Sequence, residues 1–155
     1  MDDVVIKELA NTLHVLSSAV WVGGLFFVVL VLRGVVASLP TDMATSLWQG
    51  VIGRFTAWVW VCLVLSWLTG VWMTFFFYDG FGDIHIDTMF LTALIMTVIF
   101  HIDVIGPQRR LKNASIDAGD PATAATLSRS MLYKWIGLVL GVLTIAVAYL
   151  GAVMM

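Results

Sequence analysis

Three histidines are the residues of this sequence best suited to redox or metal chemistry. His14, His85 and His101 all lie inside or beside long apolar runs. Between Ala10 and Leu32, His14 is the only ionisable side chain, and an ionisable group within a run of this length is a candidate functional residue. Imidazole is a ligand for haem iron and for copper. His14 is therefore the strongest candidate functional residue of the three.

Helical spacing groups His14 with small and polar residues. Steps of three and four residues lead from it to Ser17, Trp21 and Gly24, which would share one face of a helix. A face of this kind within a membrane-spanning helix is expected to look into a bundle. We therefore predict Ser17, Trp21 and Gly24 as cofactor-binding neighbours of His14.

Depth and rotation separate the remaining candidate ligands. With a rise of about 1.5 Å per residue, His14, His85 and Met73 are predicted to lie at one level near the same end of the protein. His101 follows His85 by sixteen residues, which is about 160° beyond four full turns, so these two side chains point in nearly opposite directions. His101 is predicted either to rest against a neighbouring helix or to form a second site with Lys134.

The candidate ligands allow three interpretations. Two imidazoles from different helices of an apolar bundle are the arrangement that holds haem b, so His14 and His85 are predicted as the axial pair, with Met73 as the substitute for His85. Alternatively, His14, His85 and Asp87 form a copper site, to which Met73 could add a soft ligand. In the third interpretation the protein is a structural or assembly subunit whose histidines only bond neighbouring helices.

The elements that must position these residues are membrane helices. Of the 155 residues, 61% are hydrophobic and 12% are charged, and a span needs about 20 apolar residues. Spans are predicted at about 10–36, 55–78, 86–106 and 131–153, with a short surface helix at 43–54 that merges into the second span. The predicted fold is an all-α, integral membrane four-helix bundle forming a single transmembrane domain, 1–155.

Basic residues predict how this bundle is oriented. Seven of the eight fall on the side of the first and third loops: Arg33, Arg54, Arg109, Arg110, Lys112, Arg129 and Lys134. Basic loops stay in the cytoplasm, so both termini and the acidic loop after the second span are predicted to face the periplasm of a bacterial inner membrane. Arg33 and Lys134 are interpreted as anchors that reach the interface. The basic residues belong to the topology, so membrane lipid, and no nucleic acid, is the expected partner.

A sequence motif is made up of two stretches of the first predicted helix and one stretch at the end of the third. It consists of Leu13-His14, then Trp21-Val22-Gly23-Gly24-Leu25, and finally Pro107-Gln108-Arg109-Arg110-Leu111. This motif resembles that of the copper-resistance protein D (CopD) family, which implies an inner-membrane protein connected with periplasmic copper handling. The same spacing from histidine to tryptophan to glycine is similar to that of the HemJ-type protoporphyrinogen oxidases, which are four-helix membrane proteins associated with haem b.

The sequence departs from the expected patterns of HemJ-type proteins and of copper transporters, and these two departures narrow the predicted function. HemJ-type proteins carry a lysine near the position of Asp87, so protoporphyrinogen oxidase activity is disfavoured. Copper transport favours methionines repeated along a path, and Met89 and Met96 do not form such a ladder. We therefore predict a haem b-binding electron-transfer protein or membrane oxidoreductase, with a redox partner protein or a quinone, and with copper transport or periplasmic copper handling as the alternative. The spacing of Gly137 and Gly141 also allows a homodimer.

Overall fold

The protein is described by a computed structural model that covers residues 3–113 and 121–154, and every regular element in these ranges is helical. Helix α1 comprises Asp3–Phe26, a π-helical segment Phe27–Leu32 and a last turn Arg33–Val36. Helix α2 is Thr41–Phe77. Helix α3 comprises Ile84–Asp103, a π-helical segment Val104–Gln108 and Arg109–Asn113, and helix α4 is Pro121–Met154.

All four helices are long and apolar enough to cross a membrane, which confirms the predicted membrane four-helix bundle. Each helix extends beyond its predicted span. The segment 43–54 does merge into the second span, but it packs into the bundle as the beginning of one continuous helix α2, and the polar lead before residue 10 already belongs to α1. The π-helical segment of α3 contains Pro107, which has no N–H to continue the α-helical ladder and so widens the helix locally.

The helices pack as two pairs. Helix α1 packs most closely on α2, α3 packs most closely on α4, and α1 also contacts α4. Side chains join α2 to α3: the ring centroids of Trp67 and Phe90 are 5.0 Å apart, and those of Trp60 and Phe100 are 5.4 Å apart. The centre of the bundle is filled by a buried cluster that includes Trp21, Val22, Leu25, Cys62 and Met96.

Contacts at one end of the bundle place the beginning of α1 beside the loop between α2 and α3. The ammonium nitrogen of Lys7 lies 5.3 Å from the ring centroid of Tyr78, and the ring of His85, at the start of α3, packs against Gly151 near the end of α4. We call this the acidic end, because its loop carries Asp79 and Asp83. The opposite end, which carries Arg33, Arg54, Arg109 and Lys112, is the basic end.

Candidate functional site

The ring of His14 is held by two groups of helix α2. Its Nδ1 lies 3.1 Å from the carbonyl oxygen of Ser66 and 3.1 Å from Oγ1 of Thr69. The hydroxyl of Thr69 donates its hydrogen to the carbonyl of Leu65 at 2.6 Å, so towards His14 it acts as an acceptor. Because both partners of Nδ1 accept, Nδ1 carries the ring hydrogen and Nε2 keeps a free lone pair.

Small residues let the imidazole approach α2. A methyl group at Gly70 would lie 3.0 Å from Cε1 of His14, so the ring occupies space that a larger residue would close. One turn along α1, the hydroxyl of Ser17 donates to the carbonyl of His14 at 3.0 Å and lies 2.8 Å from Oγ of Ser66. The predicted grouping of His14 with Ser17 on one helical face is therefore present, and this face meets α2.

Trp21 and Gly24 continue the same face towards the core. Trp21 is buried and packs edge-on against Phe100 of α3, with 6.2 Å between ring centroids. The ring of Phe55 fills the space beside Gly24, where a methyl group would overlap it. In this structure Gly24 accommodates a neighbouring aromatic ring, and a cavity of about 380 Å³ lies beside it, lined also by Trp21 and Cys62. The cofactor-binding role of Trp21 and Gly24 stays a prediction.

The other predicted ligands at the acidic end have different neighbours. The half-buried ring of His85 packs against α4 at Gly151, and Met73 is buried on α2. Asp87 accepts a hydrogen bond from the backbone N–H of Gly82 at 3.3 Å, which ties it to the loop. The rings of His14 and His85 therefore lie in different seams, one between α1 and α2 and the other between α3 and α4.

The half-buried ring of His101 on α3 rests against α2. Its Nδ1 lies 2.8 Å from the carbonyl oxygen of Thr97, and its ring packs edge-on against Trp60 with 4.9 Å between centroids. This arrangement agrees with the first of the two predicted alternatives for His101, contact with a neighbouring helix. The second alternative was a site shared by His101 and Lys134, but Lys134 pairs with Asp103 instead.

Lys134 forms a buried ion pair with Asp103. Its Nζ lies 2.6 Å from Oδ2 of Asp103, and both side chains are only 4% exposed. Lys134 also donates to Ser130 at 2.7 Å, and Gln108 donates to the same carboxylate oxygen of Asp103 at 2.7 Å. The interpretation of Lys134 as an anchor at the interface is therefore wrong: a carboxylate on the neighbouring helix lets the lysine stay inside the bundle.

The sequence interpretation did not single out Asp103. The sequence did carry a signal, because Asp103 in the third predicted span and Lys134 in the fourth could neutralise each other inside a bundle. The network continues to α2, where the hydroxyl of Thr56 donates to the amide oxygen of Gln108 at 2.6 Å. Oδ1 of Asp103 is buried and receives no hydrogen bond from the described part of the chain.

Within residues 3–113 and 121–154, no three His, Cys, Asp or Glu side chains come together in a group that could hold a metal ion. The fold and these sites define a multi-pass, four-helix membrane protein with an oriented histidine near its acidic end and a buried ion pair towards its basic end. Comparison with protein-family models, with curated proteins and with solved structures finds no match.

Proposed function

We propose that the protein is a membrane redox protein that binds haem b, with His14 as an axial ligand. The observation that carries this proposal is the pair of acceptors, Ser66 and Thr69, 3.1 Å from Nδ1 of His14. Hydrogen bonding at one ring nitrogen fixes the tautomer and orientation of a histidine that binds metal through the other nitrogen.

The packing of the helices favours His85 over Met73 as the second axial ligand. Met73 lies on α2, which packs closely on α1, so a porphyrin between it and His14 would have to part the tightest pair of helices. His85 lies on α3, which packs mainly on α4. Ligation by His85 requires its ring to rotate away from Gly151, since the two are in contact.

Bound haem b would supply one-electron transfer. The chain contributes the orientation of His14 through Ser66 and Thr69, and an apolar core, centred on Trp21 and Met96, that keeps water from the middle of the bundle. The resemblance of the first-helix motif to the HemJ-type proteins supports haem b as the cofactor, whereas its resemblance to the CopD family supports the copper alternative. By the positive-inside rule, the site faces the periplasmic side of a bacterial inner membrane, with both termini on that side.

Haem content of purified variants tests the assignment of ligands. We expect His14→Gly to lose the haem and added imidazole to restore it, because the free base can occupy the space of the missing ring. His85→Ala is expected to change the spectrum of the bound haem, and His101→Ala to leave both content and spectrum unchanged. If His14→Gly kept its haem, or if only His101→Ala lost it, the proposed ligand set would be wrong.

Copper handling is the alternative, with His14, His85 and Asp87 as the ligands. The copper site would use the same residues as the haem site, so the same purified samples decide between copper and haem. A colourless protein that holds copper in proportion to the chain, and releases it in His14→Gly, would replace the haem proposal.

A further inference from the structure

The seam between α2 and α3 changes character along its length. Towards the acidic end it is closed by aromatic rings, with Trp67 against Phe90 and Trp60 against both Phe100 and His101. Towards the basic end the seam opens into a cavity of about 760 Å³, walled by α2, α3 and the first turns of α4. This volume lies in the range of small-molecule sites, about 300–1,000 Å³.

Hydrogen bonds between the helices hold the walls of this cavity in place. The side chain of Gln49 on α2 donates to the carbonyl of Leu111 on α3 at 3.0 Å, and Thr56 donates to Gln108 at 2.6 Å. Trp48 and Ile52, both buried, line the apolar part. The cavity therefore combines an apolar interior with polar groups where the helices meet.

The described residues that line the cavity carry charge of one sign. Arg109 and Lys112 both line the cavity, and the described residues around it include no aspartate or glutamate. Both cations belong to the last turns of α3, at the end of a membrane-spanning helix. In a membrane this is the level of the lipid headgroups, where basic pockets between helices attract anionic lipids.

We propose that the cavity binds one anionic phospholipid, whose phosphate is held by Arg109 and Lys112 and whose chain lies against Trp48 and Ile52. The occupant is a phospholipid because the cavity joins a cationic rim at headgroup level to an apolar interior that runs into the bundle. The proposal does not depend on haem binding, since it concerns the opposite end of the protein.

Lipid binding by the full-length protein in detergent tests this proposal. Phosphatidylglycerol and phosphatidylcholine are added in equal amounts, and the lipids that remain on the protein are counted by native mass spectrometry. We expect retention of one phosphatidylglycerol in preference to phosphatidylcholine. The double variant Arg109→Gln, Lys112→Gln should lose this preference, whereas Arg33→Gln, Arg129→Gln, which removes the same charge from exposed positions of the same end, should keep it.

A second pair of variants tests the cavity itself without changing charge. A side chain at Gly53, which lines the cavity, meets nothing within 4 Å, and the same is true of Gly34 on α1, which does not line it. Gly53→Leu should therefore fill the cavity and lose the retained lipid, while Gly34→Leu keeps it. Equal retention of both lipids by the wild type, a preference that survives Arg109→Gln, Lys112→Gln, or retention unchanged in Gly53→Leu would each overturn the proposal.

Discussion

Lys134 on α4 and Asp103 on α3 are each other's countercharge inside the bundle, with 2.6 Å between Nζ and Oδ2. They are thirty-one residues apart in the chain, so the pair joins two helices. Burying two charges is costly, but once they are buried, removing one partner leaves the other uncompensated. The pair therefore ties the stability of α3 to that of α4.

We predict that Asp103→Leu or Lys134→Met alone destabilises the protein by about 3–5 kcal/mol, the usual cost of an uncompensated buried charge. The double variant should be less destabilised than the sum of the two, because it leaves no unpaired charge. Denaturant-induced unfolding in detergent, followed by tryptophan fluorescence, measures all three. Additive losses would contradict the ion pair.

Neighbouring glycines of α1 provide a second, internally controlled prediction. An alanine at Gly24 would overlap the ring of Phe55, whereas a side chain at Gly23 meets nothing within 4 Å. Gly24→Ala should cost about 1–3 kcal/mol through overpacking. Gly23→Ala should be neutral or stabilising by up to about 1 kcal/mol, because it removes a glycine from a helix interior. Thermal unfolding compares the two, and Phe55→Leu should partly rescue Gly24→Ala. Equal effects at both glycines would show that α1 and α2 do not approach as described.

The start of α3 depends on the side chain of Asp83. Its Oδ1 accepts hydrogen bonds from the backbone N–H groups of His85 at 2.8 Å and Ile86 at 3.3 Å. Loss of such a cap costs about 0.5–2 kcal/mol, so Asp83→Ala should lower the free energy of unfolding by this amount. Asp83→Asn keeps an acceptor oxygen and should be nearly neutral. Faster amide hydrogen exchange at His85 and Ile86 in the alanine variant alone would locate the effect at the cap.

The four helices could be predicted from sequence because length and apolar composition decide whether a segment spans a membrane. Their ends were less predictable. The segment 43–54 mixes polar residues such as Gln49 and Arg54 with apolar ones, which indicated a short surface helix merging into the second span. Its apolar residues Trp48 and Ile52 instead pack inside the bundle as part of α2. Contacts with other helices override the local composition here.

The candidate site was predictable only within single helices. Spacing correctly placed His14 and Ser17 on one face, because rotation along a helix is fixed by geometry. Spacing does not indicate which residue of another helix faces a given side chain. For this reason the partners of His14 on α2, and the pairing of Lys134 with Asp103, emerged only from the structure.

The visible absorption spectrum of the purified protein, oxidised and then reduced with dithionite, tests the central proposal most directly. A haem b protein with His14 as ligand should show a Soret band that shifts and sharpens on reduction, with distinct α and β bands, and should lose these bands in His14→Gly until imidazole is added. Copper counted on the same sample should be negligible. A correctly folded, colourless wild-type protein that takes up no added haem would contradict the proposed haem binding.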